Sequence, residues 1–220
     1  MLKLNNKSKK LLLLQRNELL TKKQKWTRRR FGRFLFTNFF INFNQAKDIT
    51  LEAENLFKNE IDTFKDFLPK TCNNIMDIGC GLGIINVLLN NFYNDKTCFY
   101  LLDKNRIDKK IKYGFSSNYE SYNDLNETKR ILLENNINES SLFLFDVEKE
   151  ISIDTKIDLV ISLKSMGYHY PFENYFNLFK KNCNKNTTFI FDVSDGYFDE
   201  NLFKKYFENI KIVYEEKSIH

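Results

Sequence analysis

Glycine and proline are scarce in this sequence, with 7 Gly and 2 Pro in 220 residues. That excludes collagen-like, linker-rich and low-complexity chains, which are built from those residues. Histidine is confined to His169 and His220, and the four cysteines (Cys72, Cys80, Cys98, Cys183) show no paired spacing. A structural zinc site is therefore disfavoured, and a reduced, cytoplasmic chain is the simpler expectation. Long hydrophobic runs are missing too: nothing approaches the ~18 apolar residues of a membrane span. The run Leu11–Leu14 follows a basic start, but Gln15, Arg16, Asn17 and Glu18 end it too soon for a signal-peptide core.

What is present is a chain able to fold. Hydrophobic residues make up 42% and charged residues 29%, which supports a packed core and excludes global disorder. The formal charge of +5 hides an asymmetry. Residues 1–33 hold seven Lys and five Arg against the single Glu18, a local +11, and the remainder sums to −6. The basicity belongs to an N-terminal arm, helical at least around Leu11–Leu20. Phe31, Phe34, Phe36, Phe39, Phe40 and Phe43 follow, too apolar for a free tail. Leu51–Leu68 reads as an amphipathic helix, with Phe57, Ile61, Phe64 and Leu68 at helical spacing and Pro69 ending it.

From there strand and helix alternate. Strands are predicted at Ile75–Asp77, Cys98–Leu102 (ending in Asp103), Leu142–Phe145 (ending in Asp146), Ile157–Leu163, Thr187–Phe191 (ending in Asp192) and Ile210–Tyr214. Helices are predicted at Ile84–Phe92, Asp124–Asn135, after Pro171 as a first helical residue, and at Asn201–Phe207. The polar, Tyr-rich stretch 107–122, with Tyr113, Tyr119 and Tyr122, reads as an insertion: a lid over a ligand or an ordinary surface loop. Such alternation argues for a parallel sheet with helices on both faces, whose ligands bind at the carboxyl ends of the strands.

Three of the seven glycines, Gly79, Gly81 and Gly83, lie within five residues, in Asp77-Ile78-Gly79-Cys80-Gly81-Leu82-Gly83. A predicted strand runs into a glycine turn and straight into a helix, as a backbone does where it must approach a ligand closely. The third glycine comes one residue too early for the dinucleotide fingerprint, and an acid stands two residues before the first. This window resembles motif I, D-x-G-x-G-x-G, of the class I S-adenosylmethionine-dependent methyltransferases. An acid there suits an ammonium group and a sulfonium cation, and would repel a pyrophosphate. The other reading is a nucleotide-binding domain of another kind.

The resemblance covers roughly residues 70–215. It implies an α/β fold with a doubly wound, mostly parallel, Rossmann-like sheet (residues 49–220) behind an N-terminal helical extension (residues 1–48). It implies S-adenosyl-L-methionine as cofactor, bound by Asp77, Gly79, Cys80, Gly81, Gly83, Lys104 and Ser162. Asp103 resembles the acid that accepts both ribose hydroxyls. Asp146 resembles the residue beside the adenine amine, with the Val147 backbone N–H facing the ring. The family sheet usually closes with an antiparallel hairpin of two strands, of which only Ile210–Tyr214 is evident here.

The same resemblance implies that the loop after the fourth strand, Ser162-Leu163-Lys164-Ser165-Met166-Gly167-Tyr168-His169-Tyr170-Pro171, faces the transferred methyl group. It lacks the Asn/Asp-Pro-Pro-aromatic motif of exocyclic amine methylation and resembles that of sugar O-methyltransferase-like proteins. A hydroxyl acceptor needs a base, and His169 is the interior imidazole that suits the role. Lys164 would orient the acceptor, and Tyr168 and Tyr170 would form its walls. The bland alternatives are a helix-capping histidine, a solvated lysine and packed tyrosines. With no carboxylate cluster to hold a metal, a small-molecule or glycan acceptor and metal-free transfer are expected.

The arm keeps several readings. Its cations interleaved with Trp26 and Phe31 suit a nucleic acid, and with it RNA methylation. The same pattern suits peripheral contact with an anionic membrane. It also reads as a solvated extension leading to a helix that caps the site. Its scarcity of acids before Asp48 resembles an organellar targeting segment, although the following aromatics should pack. A catalytically silent cofactor-binding partner is a further alternative for the whole chain.

Overall fold

The computed structural model describes residues 1–42, 46–108, 121–167, 169–193 and 199–215, with the side chains of residues 46–48 excepted. Phe43, Tyr168, His220 and most of the Tyr-rich stretch, including Tyr113 and Tyr119, lie outside them.

Four helices precede the first strand: α1 (Asn6–Gln15), α2 (Lys22–Phe31), α3 (Arg33–Asn42) and α4 (Ala46–Phe64). Asn5 caps α1 by accepting from the Ser8 N–H, and Thr21 with Gln24 forms a reciprocal capping box on α2. The α/β body continues with β1 (Asn74–Ile78), α5 (Ile84–Phe92), β2 (Cys98–Asp103), α6 (Leu125–Glu134), β3 (Leu142–Asp146), β4 (Leu159–Ser162), α7 (Phe176–Asn182), β5 (Thr188–Phe191) and α8 (Glu200–Lys204). The strands form one sheet in the order β3-β2-β1-β4-β5, and every pairing is parallel. This is a doubly wound, Rossmann-like α/β fold whose order reverses beside β1, where the strand's carboxyl end opens a crevice.

The central strands are covered on both faces, so they are apolar without alternation. Ile75, Met76, Ile78, Phe99, Leu101, Leu102, Leu159, Val160 and Ile161 are all fully buried. On one face of the sheet lies a core that includes Ile75, Phe99, Leu101 and Ile161 together with Leu11, Leu12, Leu13 and Leu14 of α1. The other face packs Met76, Ile78, Leu102 and Val160 against an aromatic cluster around Phe172, Phe179 and Phe203. The arm's leucines are therefore core residues, and its α1 packs against α3, α4 and α6.

Three expectations change. Ile210–Tyr214 forms no strand: it has no regular secondary structure, Ile212 is 66% exposed, and five strands make up the sheet among the described residues. Its apolar residues look like a strand, but a strand needs a neighbour for its backbone hydrogen bonds. Pro171 caps a 3-10 turn, Phe172–Tyr175, and the α-helix starts only at Phe176. The last helix ends at Lys204 in place of Phe207.

Candidate functional site

The glycine loop joins β1 to α5 at the carboxyl edge of the sheet. Gly79, Gly81 and Gly83 all have positive φ, at 74°, 53° and 69°. The Gly79 and Cys80 N–H groups donate to the Leu102 carbonyl at 2.7 and 3.2 Å, which ties the loop to the end of β2. Glycine is required for room as well as conformation. A Cβ on Gly79 would lie 2.4 Å from Ser165 Oγ and 2.9 Å from the Tyr170 ring, and one on Gly81 would lie 2.9 Å from Gln15 Oε1.

Two acids stand beside the loop. Asp77, in β1, is 2% exposed and accepts a 2.6 Å hydrogen bond from the Asn86 amide. Burial raises its pKa to about 7, against the opposing pull of Asn86 and the Arg16 guanidinium. Asp103 ends β2, buried, and accepts from the Gly81 N–H at 2.6 Å, the Lys104 N–H at 2.7 Å and the Tyr170 hydroxyl. Burial raises its pKa too, and those three donors favour the charged form. Burial, and then the Asp103 and Asp77 carboxylates, push the pKa of the buried Cys80 thiol well above its ordinary value. The thiol is inert as a nucleophile.

The other candidates divide. Ser162 is fully buried and donates to the Ile78 carbonyl at 2.7 Å, joining the ends of β4 and β1. Asp146 ends β3 directly opposite Asp103 in the ladder, and its carboxylate accepts from the Glu148 N–H and lies 3.6 Å from the Lys149 ammonium. The Val147 N–H corrects an expectation: it donates to the Asp103 carbonyl at 3.0 Å, extending the ladder, so it does not face a ring. Lys164 has a φ of 60° and reaches Asp192, past the end of β5, at 3.5 Å. His169 is half-buried, its N–H bonded to the Ser165 carbonyl at 3.0 Å. Tyr170 is buried, its hydroxyl is on Asp103, and the Lys104 ammonium sits 5.9 Å from its ring centre. Tyr168 lies outside the described residues.

The structure adds residues from the arm and from α6. Gln15, the last residue of α1, donates to the Tyr122 carbonyl and to Asn123 while its side-chain oxygen lies over Gly81. Arg16 pairs with the half-buried Glu60 at 2.7 Å. Thr128 donates to the Gly81 carbonyl at 2.8 Å, fixing the loop from the α6 side. Three buried polar atoms here, Arg16 Nη1, Asn86 Oδ1 and Asn123 Nδ2, have no hydrogen bond. Long-range packing brings these groups in, and only a polar break after the Leu11–Leu14 run hinted at Gln15 and Arg16. Among the described residues, no group of three or more His, Cys, Asp or Glu side chains could hold a metal ion.

Comparison with family models finds no match, and comparison with curated proteins finds none. Solved structures similar to this chain include precorrin-6y C5,15-methyltransferase from Geobacter metallireducens GS-15, at 13% identity and a TM-score of 0.44, covering 65% of this chain and 64% of that one. Ribosomal protein L11 methylase from Lactobacillus delbrueckii subsp. bulgaricus is similar at 15% identity and a TM-score of 0.39, covering 60% and 56%. The plantazolicin methyltransferase BpumL, in complex with a monoazolic desmethylPZN analog and SAH, is similar at 18% identity and a TM-score of 0.38, covering 84% and 58%. The chain spans less than two thirds of the length of each.

Proposed function

We propose that this chain is an S-adenosylmethionine-dependent methyltransferase that methylates a hydroxyl of a small molecule or sugar unit. The observation that carries the reading is Asp103, a buried carboxylate at the end of β2 whose oxygens meet the Gly81 N–H of the glycine loop and a hydroxyl. A ribose presents hydroxyls to such an acid, and here the phenol of Tyr170 makes the bond in a ribose hydroxyl's place. The chemistry of the residues therefore fits the cofactor, once Tyr170 withdraws. The buried acid Asp77 and the unsatisfied Asn86 Oδ1 suit its ammonium end, and a pyrophosphate would be repelled there.

When bound, the cofactor supplies a methyl group on a sulfonium. The protein's share is then mostly positioning, since an in-line displacement at carbon needs the acceptor held close and aligned. Gly79 and Gly81 let the backbone approach, Asp103 holds the ribose, and the loop after β4 faces the acceptor. His169, half-buried in that loop, takes the hydroxyl proton on a ring nitrogen, and Lys164 orients the acceptor.

Titration calorimetry with S-adenosylhomocysteine tests the reading. The wild-type chain binds it, and Asp103→Ala, folded by circular dichroism, loses about 2 kcal/mol or more of binding energy, because a charged acceptor of two hydroxyls is gone. Binding of NADH but not of S-adenosylhomocysteine by the wild type would replace the methyltransferase with a dinucleotide-binding domain.

A further inference from the structure

Helices α2 and α3 pack against each other and are joined by Gly32 alone. On α2, Arg28 points inward, its guanidinium donating to the Leu13 carbonyl at 2.9 Å. The opposite side exposes Lys22, Lys23, Trp26, Arg29 and Arg30, which at 100° per residue fall within about a third of the helix circumference. On α3, Phe36, Thr37 and Ile41 are buried, and Leu35, Asn38, Phe39 and Asn42 form a single exposed stripe. Leu35 is 72% exposed and Trp26 66%, large apolar side chains facing water. No acid occurs between Glu18 and Asp48, so nothing within this segment neutralises the cations.

We infer that this two-helix surface binds an anionic lipid bilayer, lying on it with α3 inserted at headgroup depth. Charge complementarity and side-chain type argue together. The cations of α2 match lipid phosphates, which attract basic residues held near such a surface. Trp26 among them is the residue type that sits at a membrane–water interface. The α3 stripe separates a lipid surface from a nucleic acid. It carries no cation, and Leu35 neither stacks on a base nor donates a hydrogen bond, whereas Leu35 and Phe39 one turn apart suit the acyl boundary. A ten-residue helix reaches only about 15 Å, so α3 lies along the bilayer and does not cross it. The inference stands on the arm alone and does not depend on methyl transfer.

Trp26 is the chain's single tryptophan, so its fluorescence reports on this surface without a label. The full-length chain is titrated with vesicles of phosphatidylcholine containing phosphatidylglycerol, and with vesicles of phosphatidylcholine alone. Expected with the anionic vesicles are an emission shift to shorter wavelength and sedimentation of the chain, both much weaker with neutral ones. Arg29→Glu with Arg30→Glu lowers the partition by about tenfold or more. Leu35→Asn, an exposed site where folding is not at stake, lowers it by about tenfold. Three results overturn the inference: no spectral shift or sedimentation with anionic vesicles, equal partition onto neutral ones, or a Leu35→Asn variant that partitions like wild type. In the last case, polyuridylate binding lost only with the arginines would assign the surface to nucleic acid.

Discussion

Asp77 bears an electrostatic cost in the site. It is a carboxylate with almost no access to water, one amide donor, and a pKa raised to about 7 chiefly by burial. A carboxyl that protonates more readily in the fold than in the unfolded chain adds stability while protonated. That contribution is complete below the unfolded value of about 4 and is lost as the pH rises through about 7. Asp77→Asn removes the loss. Thermal unfolding of the two chains should therefore nearly coincide at about pH 4 and diverge up to about pH 7, with the variant the more stable above it. A gap independent of pH would mean that Asn86 and Arg16 keep the carboxylate ionised throughout. The cost makes sense if a cation is meant to sit beside Asp77. Both this acid and Asp103 were legible in the sequence, because glycine spacing and strand ends mark them. Asn86, Asn123 and Gln15 were not, since nothing local distinguishes a polar side chain that tertiary packing carries to the loop.

The loop after β4 works as one piece. Ser165 sits over Gly79, Tyr170 reaches across to Asp103 at the end of β2, and Ser162 pins the loop's root to β1. The sequence marked this loop as the place for chemistry, but it could not show that the loop rests against the glycine turn with the Tyr170 hydroxyl on Asp103. If Asp103 holds a ribose as proposed, a ribose hydroxyl would have to displace the phenol, breaking a hydrogen bond to a charged acceptor worth roughly 1.5–3 kcal/mol. Tyr170→Phe removes that competition and should tighten S-adenosylhomocysteine binding by roughly tenfold in calorimetry. Unchanged or weaker binding would make Tyr170 a wall for the ligand. Among regular elements, α5 was legible to the residue because Gly83 sets its start and the apolar spacing is strongly helical. Ile210–Tyr214 misled for the opposite reason: its composition is that of a strand, while strand formation depends on a neighbour the sequence does not announce.

Packing decides whether the basic arm is an appendage. Its charges argued for one, but apart from the inward Arg28 they lie on the outer side of α1 and α2. Inside, Leu11, Leu12, Leu13 and Leu14 are buried in the same core as β1, β2 and β4. Polar contacts lock the arm down as well. Ser8 donates to the buried Glu127, Arg130 reaches both, and the Lys3 N–H donates to Asn135 at 2.8 Å. The arm is thus the outer layer of one face of the sheet, and through Gln15 it also roofs the glycine loop. Leu13→Ala should then behave as a core truncation, costing about 2–5 kcal/mol in urea unfolding followed by circular dichroism. The transition should remain single and cooperative, with tertiary and secondary signals moving together. An appendage predicts the reverse, a stability unchanged by Leu13→Ala and a chain starting at Thr21 that melts where the full chain does. If that were observed, the leucines would be covering a body already complete without them, and Gln15 would have no fixed place over Gly81.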